Sequence, residues 1–201
     1  MLSGRRLDLL DPSPLDVEIE DIAHGLARVA RWNGQTSGAH IYSVAQHALL
    51  VEDIVGDLYP RMSADDRLTT LLHDGAEYVI GDMISPFKAV MGGAYKVVEA
   101  RIQGAIHLRF GLPAETTDAL HQRIKRADRV SAYYEATRLA GFAEREAREF
   151  FGKPPARIAA HGRHDWLQPL GADAAKLAFL ERFETIEAAR HTTTNRKRGT
   201  G

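Results

Sequence analysis

The 201-residue chain contains no cysteine, which excludes a disulfide framework, a thiolate metal site and a catalytic thiol. Its apolar runs are far shorter than the 18 or so residues that a membrane-spanning helix needs. Neither sign of charge is in excess, because 26 basic residues stand against 27 acidic ones. We therefore expect neither nucleic acid nor a membrane as a partner. The opening MLSGRRLDLLDPSPLD has acids and prolines where a signal peptide has an apolar core, so we expect a cytoplasmic protein.

Apolar residues recur at helical spacing along most of the chain, and no segment shows the convincing alternation of a strand. With 44% hydrophobic and 26% charged residues, the composition is typical of one globular domain. We therefore predict an all-α protein with a single core over residues 17–190. Residues 1–16, which include Pro12 and Pro14, are predicted to form an extended arm. Residues 191–201 have no apolar anchor and are predicted to be disordered.

Capping signals place the helices that matter most for function. The capping box Ser43-x-x-Gln46 predicts a helix start, and Pro60 closes that helix. A further helix is predicted to begin after Ser63, with two aspartates in its first turn, and to continue without a break to Ile80. The other predicted helices cover 17–32, 94–110, 114–139 and 173–190, with an irregular segment over 150–172.

A His-Asp pair stands inside the most apolar of these predicted helices. His73 and Asp74 occur in the string LLHDGAEYVIGD. A buried aspartate costs several kcal/mol unless a positive group compensates for it. The dipeptide alone is not diagnostic, because a second pair, His164-Asp165, stands in a segment that we interpret as a solvated turn.

Two further residues, in other predicted helices, make a metal-binding role for the first pair more credible. His47 lies in SVAQH and Asp128 lies in KRADR, each inside another predicted helix. Three helices would then send imidazole and carboxylate groups inward to one place. Two histidines with two carboxylates suit a divalent ion such as Mn²⁺, Co²⁺, Fe²⁺ or Zn²⁺, and the ion would supply the compensating charge.

The order H…HD…D and the strings SVAQH, LLHDGAEYVIGD and KRADR resemble the HD-domain metal-dependent phosphohydrolases. More narrowly, they are similar to the bacterial 5′-deoxynucleotidase group within that superfamily, over about residues 18–140. The resemblance implies a single-domain helical bundle around one divalent ion, and hydrolysis of a deoxynucleoside monophosphate to deoxynucleoside and phosphate. It also implies a homodimer, since similar nucleotidases are often dimers. The implied metal ligands are His47, His73, Asp74 and Asp128.

Glu77 is the next candidate for a catalytic role beside Asp74. On a continuous helix it follows His73 by four residues and Asp74 by three, so all three share one face. One turn is about 5.4 Å, which is too far for easy ligation but suits a group that handles a proton. In the resembling nucleotidases a glutamate here acts on water or on the leaving group. The alternative, a surface glutamate near a helix C-terminus, is disfavoured by the helix dipole.

Five further residues are candidates for substrate contacts. Arg31 could grip a phosphate with two parallel hydrogen bonds. Trp32 could press against the sugar and exclude a 2′-hydroxyl, although a tryptophan at a helix end often belongs to the core. Asp82 could bind a sugar hydroxyl or cap the following turn. Lys88 could add a second charge for the phosphate, and His40 could reach it from a loop.

Two other functions stay open at this point. In the deoxynucleoside triphosphate triphosphohydrolases, the same metal helices release tripolyphosphate. Lys125, Arg126 or Arg129 beside Asp128 could supply the extra positive charge that such a substrate needs. The chain could also be a non-catalytic, metal-stabilised module that binds a nucleotide.

Overall fold

The computed structural model describes residues 1–160 and 165–198. Over those residues it contains helices and no β-strand, with one isolated bridge between Ala30 and Ser43, so the predicted all-α class is confirmed. The α-helices are α1 (Ile19–Leu26), α2 (Val44–Leu58), α3 (Ala64–Leu71), α4 (Glu77–Ile80), α5 (Ser85–Met91), α6 (Gly93–Arg109), α7 (Asp118–Arg138), α8 (Glu144–Phe151), α9 (Ala156–Ala160) and α10 (Ala172–Arg198). Short 3₁₀ helices cover Pro14–Asp16, Arg31–Gly34 and Asp165–Leu167.

Helix α2 is the central element and packs against α3, α7 and α10. Almost every residue from Val44 to Val55 is buried, including the polar Gln46, His47 and Glu52. The Ser43 hydroxyl accepts a hydrogen bond from the Gln46 backbone N–H, as the capping signal predicts. The Gln46 side chain instead bonds to backbone groups of residues 166–170, which ties that segment to the helix start.

The buried residues form two clusters where the sequence predicts a single core. One cluster joins α1, α3, α6 and α10, and the other joins α7, α8 and the segment around Leu167. Helix α2 contributes to both, with Leu49 in the first and Leu50 in the second. The buried His47 therefore lies on the helix that the two clusters share.

The predicted continuous helix from Ser63 to Ile80 is wrong. Helix α3 ends at Leu71, α4 begins at Glu77, and His73 and Asp74 lie on the turn between them. Along this turn the backbone N–H groups bond three residues back, as in the 3.2 Å bond from His73 to Thr70. Glycine is required here, because a Cβ on Gly75 would stand 2.9 Å from the Leu72 carbonyl oxygen.

A side chain from α6 stabilises the interruption. The amide nitrogen of Gln103 donates to the Leu72 carbonyl oxygen at 2.6 Å, and its oxygen accepts from the Ala76 N–H at 3.1 Å. The inserted amide thereby satisfies backbone groups that a continuous helix would have paired itself. The same Gln103 nitrogen lies 2.9 Å from His107 Nε2, which anchors it on α6.

The two ends of the chain differ from each other. Residues 1–13 contain neither helix nor strand, and Ser3 hydrogen-bonds to Asp21 of α1. At the other end, where the sequence predicts disorder from residue 191, α10 continues to Arg198. No glycine or proline interrupts α10, so an apolar anchor is not needed for the helix to propagate. Residues 199–201 and His164 of the second His-Asp pair lie outside the described residues.

No helix among the described residues is long and apolar enough to cross a membrane. The segment predicted to be irregular, 150–172, contains the short helix α9 and a 3₁₀ turn.

Candidate metal centre

The fold brings distant polar side chains to one point. Ligand atoms of His47, His73 and Asp128 lie within 4.8 Å of one another, although they come from α2, the 72–76 turn and α7. This His-His-Asp group could hold a metal ion. Asp74 borders the same group, since its Oδ2 lies 3.2 Å from His73 Nε2 and 3.4 Å from His47 Nε2. Asp128 Oδ1 is also 3.4 Å from His47 Nε2.

The hydrogen bonds of the two imidazoles fit a cation at this point. His47 Nδ1 donates to Glu135 Oε1 at 2.6 Å, and His73 Nδ1 donates to the Thr70 carbonyl oxygen at 2.9 Å. Both Nε2 atoms are buried and have no hydrogen-bond partner in the described part of the chain. In the neutral imidazole, each Nε2 carries the lone pair that a metal ion needs. Ligands at about 2.1 Å from one ion lie about 3.0–3.4 Å apart, which is the spacing found here.

The charges around these atoms also favour a cation. Burial and Arg31 both oppose protonation of His47, yet the carboxylates around it hold its pKa well above the usual 6.5. Burial opposes ionisation of Asp74, but the neighbouring histidines His73 and His47 keep its pKa well below 3.8. The pKa of Asp128 is lowered in the same way, chiefly by His47 against the effect of burial. The carboxylates are thus ionised, and the site as a whole attracts positive charge.

Glu77 lies in the same cavity as the ligands, at the first residue of α4. Our expectation that Glu77 shares a helical face with His73 and Asp74 is wrong, because the helix is interrupted between them. The turn nevertheless brings the Glu77 side chain to the same cavity. It is 3% exposed, and burial, with Asp74 and Asp82 adding to it, raises the pKa of Glu77 to about 9. Lys88 Nζ lies 3.5 Å from Glu77 Oε1 and 3.0 Å from Glu99 Oε1.

A cavity of about 540 Å³ opens beside the ligands. Asp74 and Asp128 are 25% and 40% exposed, so a small molecule can reach them from solvent. Arg31 and Trp32 do not line this cavity. The basic side chains on its wall are Lys88, Lys96, Lys125 and His121.

Arg31 is held from two sides by carboxylates. Its Nη1 donates to Asp82 at 3.0 Å, and its Nε and Nη2 donate to Glu135 at 3.4 and 3.3 Å. Within the described residues, two of the five N–H donors of the guanidinium are left for a ligand. Asp82, which we expected to bind a sugar hydroxyl or to cap a turn, thus pairs with Arg31 in this structure.

Trp32 is fixed on all sides. Its backbone has a φ of 57°, an uncommon left-handed conformation for a residue other than glycine. Its indole N–H donates to Glu135 Oε2 at 2.8 Å, and its ring packs edge-on against Phe142 and Phe151. His40 is not part of this assembly, because it is exposed and lies beside Gly171.

No family model matches this chain. The Uncharacterized protein RCAP_rcc00048 from Rhodobacter capsulatus is 58% identical to it over 154 residues, which cover 77% of this chain and 79% of that protein. The chain belongs to the family of that protein. The Uncharacterized protein YfdR from Escherichia coli is another relative, 37% identical over 98 residues. The match to YfdR covers 49% of this chain and 49% of that relative, so it spans about half of each.

Sequence reasoning missed Glu135 and Ser131, which lie next to a predicted ligand. Asp128, Ser131 and Glu135 stand at positions i, i+3 and i+7 of α7, so they share one helical face. Following that face from Asp128 would have found both. Gln103 has no comparable signal, since its role depends on backbone groups about thirty residues away in the chain.

Proposed function

We propose that this protein is a metal-dependent phosphohydrolase of the HD-domain type. Its substrates would be deoxynucleoside 5′-monophosphates, which it would cleave to a deoxynucleoside and phosphate. The observation that carries the proposal is the pair of buried histidine nitrogens, on His47 and His73, that have no hydrogen-bond partner among the described residues and face the carboxylates of Asp74 and Asp128. The resemblance of the three sequence strings supplies the substrate class.

The proposed ligands are His47, His73, Asp74 and Asp128, and the ion would be Mn²⁺, Co²⁺, Fe²⁺ or Zn²⁺. When bound, such an ion polarises a phosphate oxygen and lowers the pKa of a water molecule. Three pairs of these donor atoms are 3.2–3.4 Å apart, and those of His47, His73 and Asp128 lie within 4.8 Å of one another, which supports this set of ligands.

Glu77 would move the proton that frees the nucleoside. Burial, with Asp74 and Asp82 adding to it, raises the pKa of Glu77 to about 9, which favours the protonated carboxyl. Its Oε2 is buried and has no partner in the described residues, and the side chain lines the cavity beside Asp74. A protonated carboxyl in this position can donate to the leaving O5′ oxygen, as a general acid does.

Arg31 and Lys88 would neutralise the phosphate. Arg31 is held rigidly by Asp82 and Glu135 and keeps two donors for a ligand, so little side-chain entropy would be lost on binding. Trp32 would act as a rigid wall that excludes a 2′-hydroxyl, and its fixed indole supports that role. We expect Trp32→Ala to relax the preference for deoxyribose.

A second candidate function is supported by the cavity wall. Lys96 and Lys125 line the cavity beside the ligands, and their charge would suit a triphosphate. Arg126 and Arg129, which we also considered, are exposed and do not line it. Hydrolysis of deoxynucleoside triphosphates to tripolyphosphate is therefore the alternative activity.

The test is a product assay with dAMP, AMP and dATP, using protein treated with EDTA and then reloaded with Mn²⁺ or Co²⁺. We expect phosphate from dAMP, little from AMP, and none before the metal is restored. Tripolyphosphate from dATP would favour the second candidate instead. Binding without turnover of any nucleotide would contradict both and leave a non-catalytic module. Sedimentation of the same sample tests the expected homodimer.

A further inference from the structure

Glu135 of α7 is fully buried, and its two carboxylate oxygens face different parts of the site. Oε1 accepts hydrogen bonds from His47 Nδ1 and from the Ser131 hydroxyl, both at 2.6 Å. Oε2 accepts from the Trp32 indole N–H at 2.8 Å and from the Arg31 guanidinium at 3.3 Å. One side chain thus joins a proposed metal ligand to two of the proposed substrate contacts, Arg31 and Trp32.

The Oε1 side acts on His47. A hydrogen bond from Nδ1 to a carboxylate fixes the tautomer and the ring orientation, so that Nε2 carries the lone pair. The same bond makes the imidazole a stronger donor to a cation. The Ser131 hydroxyl oxygen lies farther from His47 Nδ1, at 3.3 Å, so the carboxylate of Glu135 is the nearer acceptor of the imidazole proton and the charged one.

The Oε2 side acts on the segment of Arg31 and Trp32. The left-handed backbone of Trp32 is disfavoured for a bulky residue and persists only where its surroundings hold it. Oε2 provides one such restraint, because the side chains of both consecutive residues donate to it. The backbone N–H of Arg31 adds a second bond, to the Tyr42 carbonyl oxygen at 2.8 Å.

We propose that Glu135 is a positioning residue that couples ion binding at His47 to substrate selection by Arg31 and Trp32. The coupling rests on the proposed function for the identity of the ion and the substrate. Glu135 itself has no exposed surface and touches neither of them. Loss of its carboxylate would weaken ion binding and relax the preference for deoxyribose together.

The matched control is Glu52 on α2, which is also fully buried. It pairs with Arg67 and Arg182, and none of these three residues lines the cavity. Changing either glutamate to glutamine removes one buried charge and keeps the size of the side chain. A structural effect alone should therefore appear in both variants, whereas an effect on the site should appear only in Glu135→Gln.

The amide of Glu135→Gln can accept on one side only and presents an NH₂ group to donors on the other. We expect its Mn²⁺ affinity, measured by titration calorimetry, to fall by about tenfold to a hundredfold. We also expect the absorption spectrum of the Co²⁺ form to change, and the ratio of dAMP to AMP hydrolysis to fall. In metal-free protein carrying Trp166→Phe, the emission of Trp32 should shift on Glu135→Gln. Glu52→Gln should change none of these readouts by more than about twofold.

Ser131→Ala provides a milder variant if Glu135→Gln does not fold, since it removes one donor to Oε1 and keeps the carboxylate. It should weaken Mn²⁺ binding less than the glutamate change and in the same direction. Equal Mn²⁺ affinity and equal selectivity in wild type and in the variant that folds would overturn the coupling and leave the proposed function standing. A wild-type protein that binds neither Mn²⁺ nor Co²⁺ would overturn the proposed function itself.

Discussion

Two groups of buried charge share helix α2 and are built in opposite ways. Around Glu52, each carboxylate oxygen meets a guanidinium, from Arg67 on one side and Arg182 on the other. Around His47, five residues earlier, carboxylates from two other elements face imidazole nitrogens that have no hydrogen-bond partner among the described residues. The first group is electrically complete within the protein, whereas in the second neither Asp74 nor Asp128 has a guanidinium or ammonium partner among those residues. A charge imbalance kept in a buried place is what we expect of a binding site rather than of a stabilising network.

The largest expected effect is the loss of activity when a proposed ligand near His47 is changed. Asp74→Asn keeps the size of the side chain but removes a charged ligand, so transition-state stabilisation worth several kcal/mol is lost. We expect phosphate release from dAMP to fall by about 10³-fold or more. The measurement is a phosphate assay with saturating Mn²⁺, beside calorimetric Mn²⁺ binding. Activity near that of wild type would rule out the proposed site.

Breaking the group around Glu52 should instead lower the stability of the fold and leave ion binding unchanged. Glu52→Ala leaves Arg67 and Arg182 without their shared partner, although both are partly exposed to water. We therefore expect a loss of about 2 kcal/mol in the free energy of unfolding, below the range for a fully buried pair. Urea unfolding measures this loss. Mn²⁺ affinity of the folded variant should stay within about twofold of wild type, and a larger change would mean that the two groups are not independent.

A third variant separates the shape of the site from its charge. Gln103→Leu carries no charge change but leaves the Leu72 carbonyl and the Ala76 N–H without their side-chain partner. Unfolding should become easier by about 1–2 kcal/mol. Because the turn between these groups carries His73 and Asp74, Mn²⁺ affinity should fall as well, by about tenfold.

The control for this variant is Gln46→Leu. Gln46 also bonds to backbone groups through its side chain, in the segment 166–170 rather than in the ligand turn. The Gln46→Leu variant should lose about as much stability as Gln103→Leu but keep the Mn²⁺ affinity of the wild type. Equal losses of affinity in both variants would show that Gln103 has no particular effect on the ligands.

The sequence predicted the helical class because capping residues and apolar spacing are local signals. It also predicted that His47, His73 and Asp128 lie together, because a buried charge needs a partner wherever the chain places it. It failed at residues 72–76. Gly75 was a local signal of the interruption, but the amide of Gln103, which stabilises it, belongs to another helix. A long-range hydrogen bond of this kind leaves no trace in the local pattern.

The coupling through Glu135 was hidden for a different reason. Its position on the face of Asp128 was available from the sequence, but its partners Arg31 and Trp32 are about a hundred residues away. The sequence analysis also did not anticipate the extension of α10 beyond residue 190. The absence of apolar residues there suggested disorder, although residues 191–198 contain neither glycine nor proline.

The smallest expected effect concerns another buried histidine, His107, whose ring contrasts with those of His47 and His73. Both of its ring nitrogens have partners, since Nδ1 donates to the Ala114 carbonyl oxygen at 3.3 Å and Nε2 accepts from Gln103 at 2.9 Å. Burial lowers the pKa of His107 below 6.5, against the effect of its backbone hydrogen bonds. The unfolded chain therefore binds a proton at a pH where the folded protein does not. The contribution of this group to stability is complete above about pH 6.5 and is lost as the pH falls from there through the lowered value.

Removing the titrating ring should remove that part of the acid sensitivity. We expect His107→Gln to be less stable than wild type at pH 7, because it loses a hydrogen bond, and to lose less further stability between pH 7 and pH 5. Thermal unfolding of both metal-free proteins over that range measures the difference. His121→Gln, which changes an exposed histidine on the wall of the same cavity, is the control and should follow the wild-type pH dependence. If His107→Gln follows it too, the titration of His107 contributes nothing to acid unfolding.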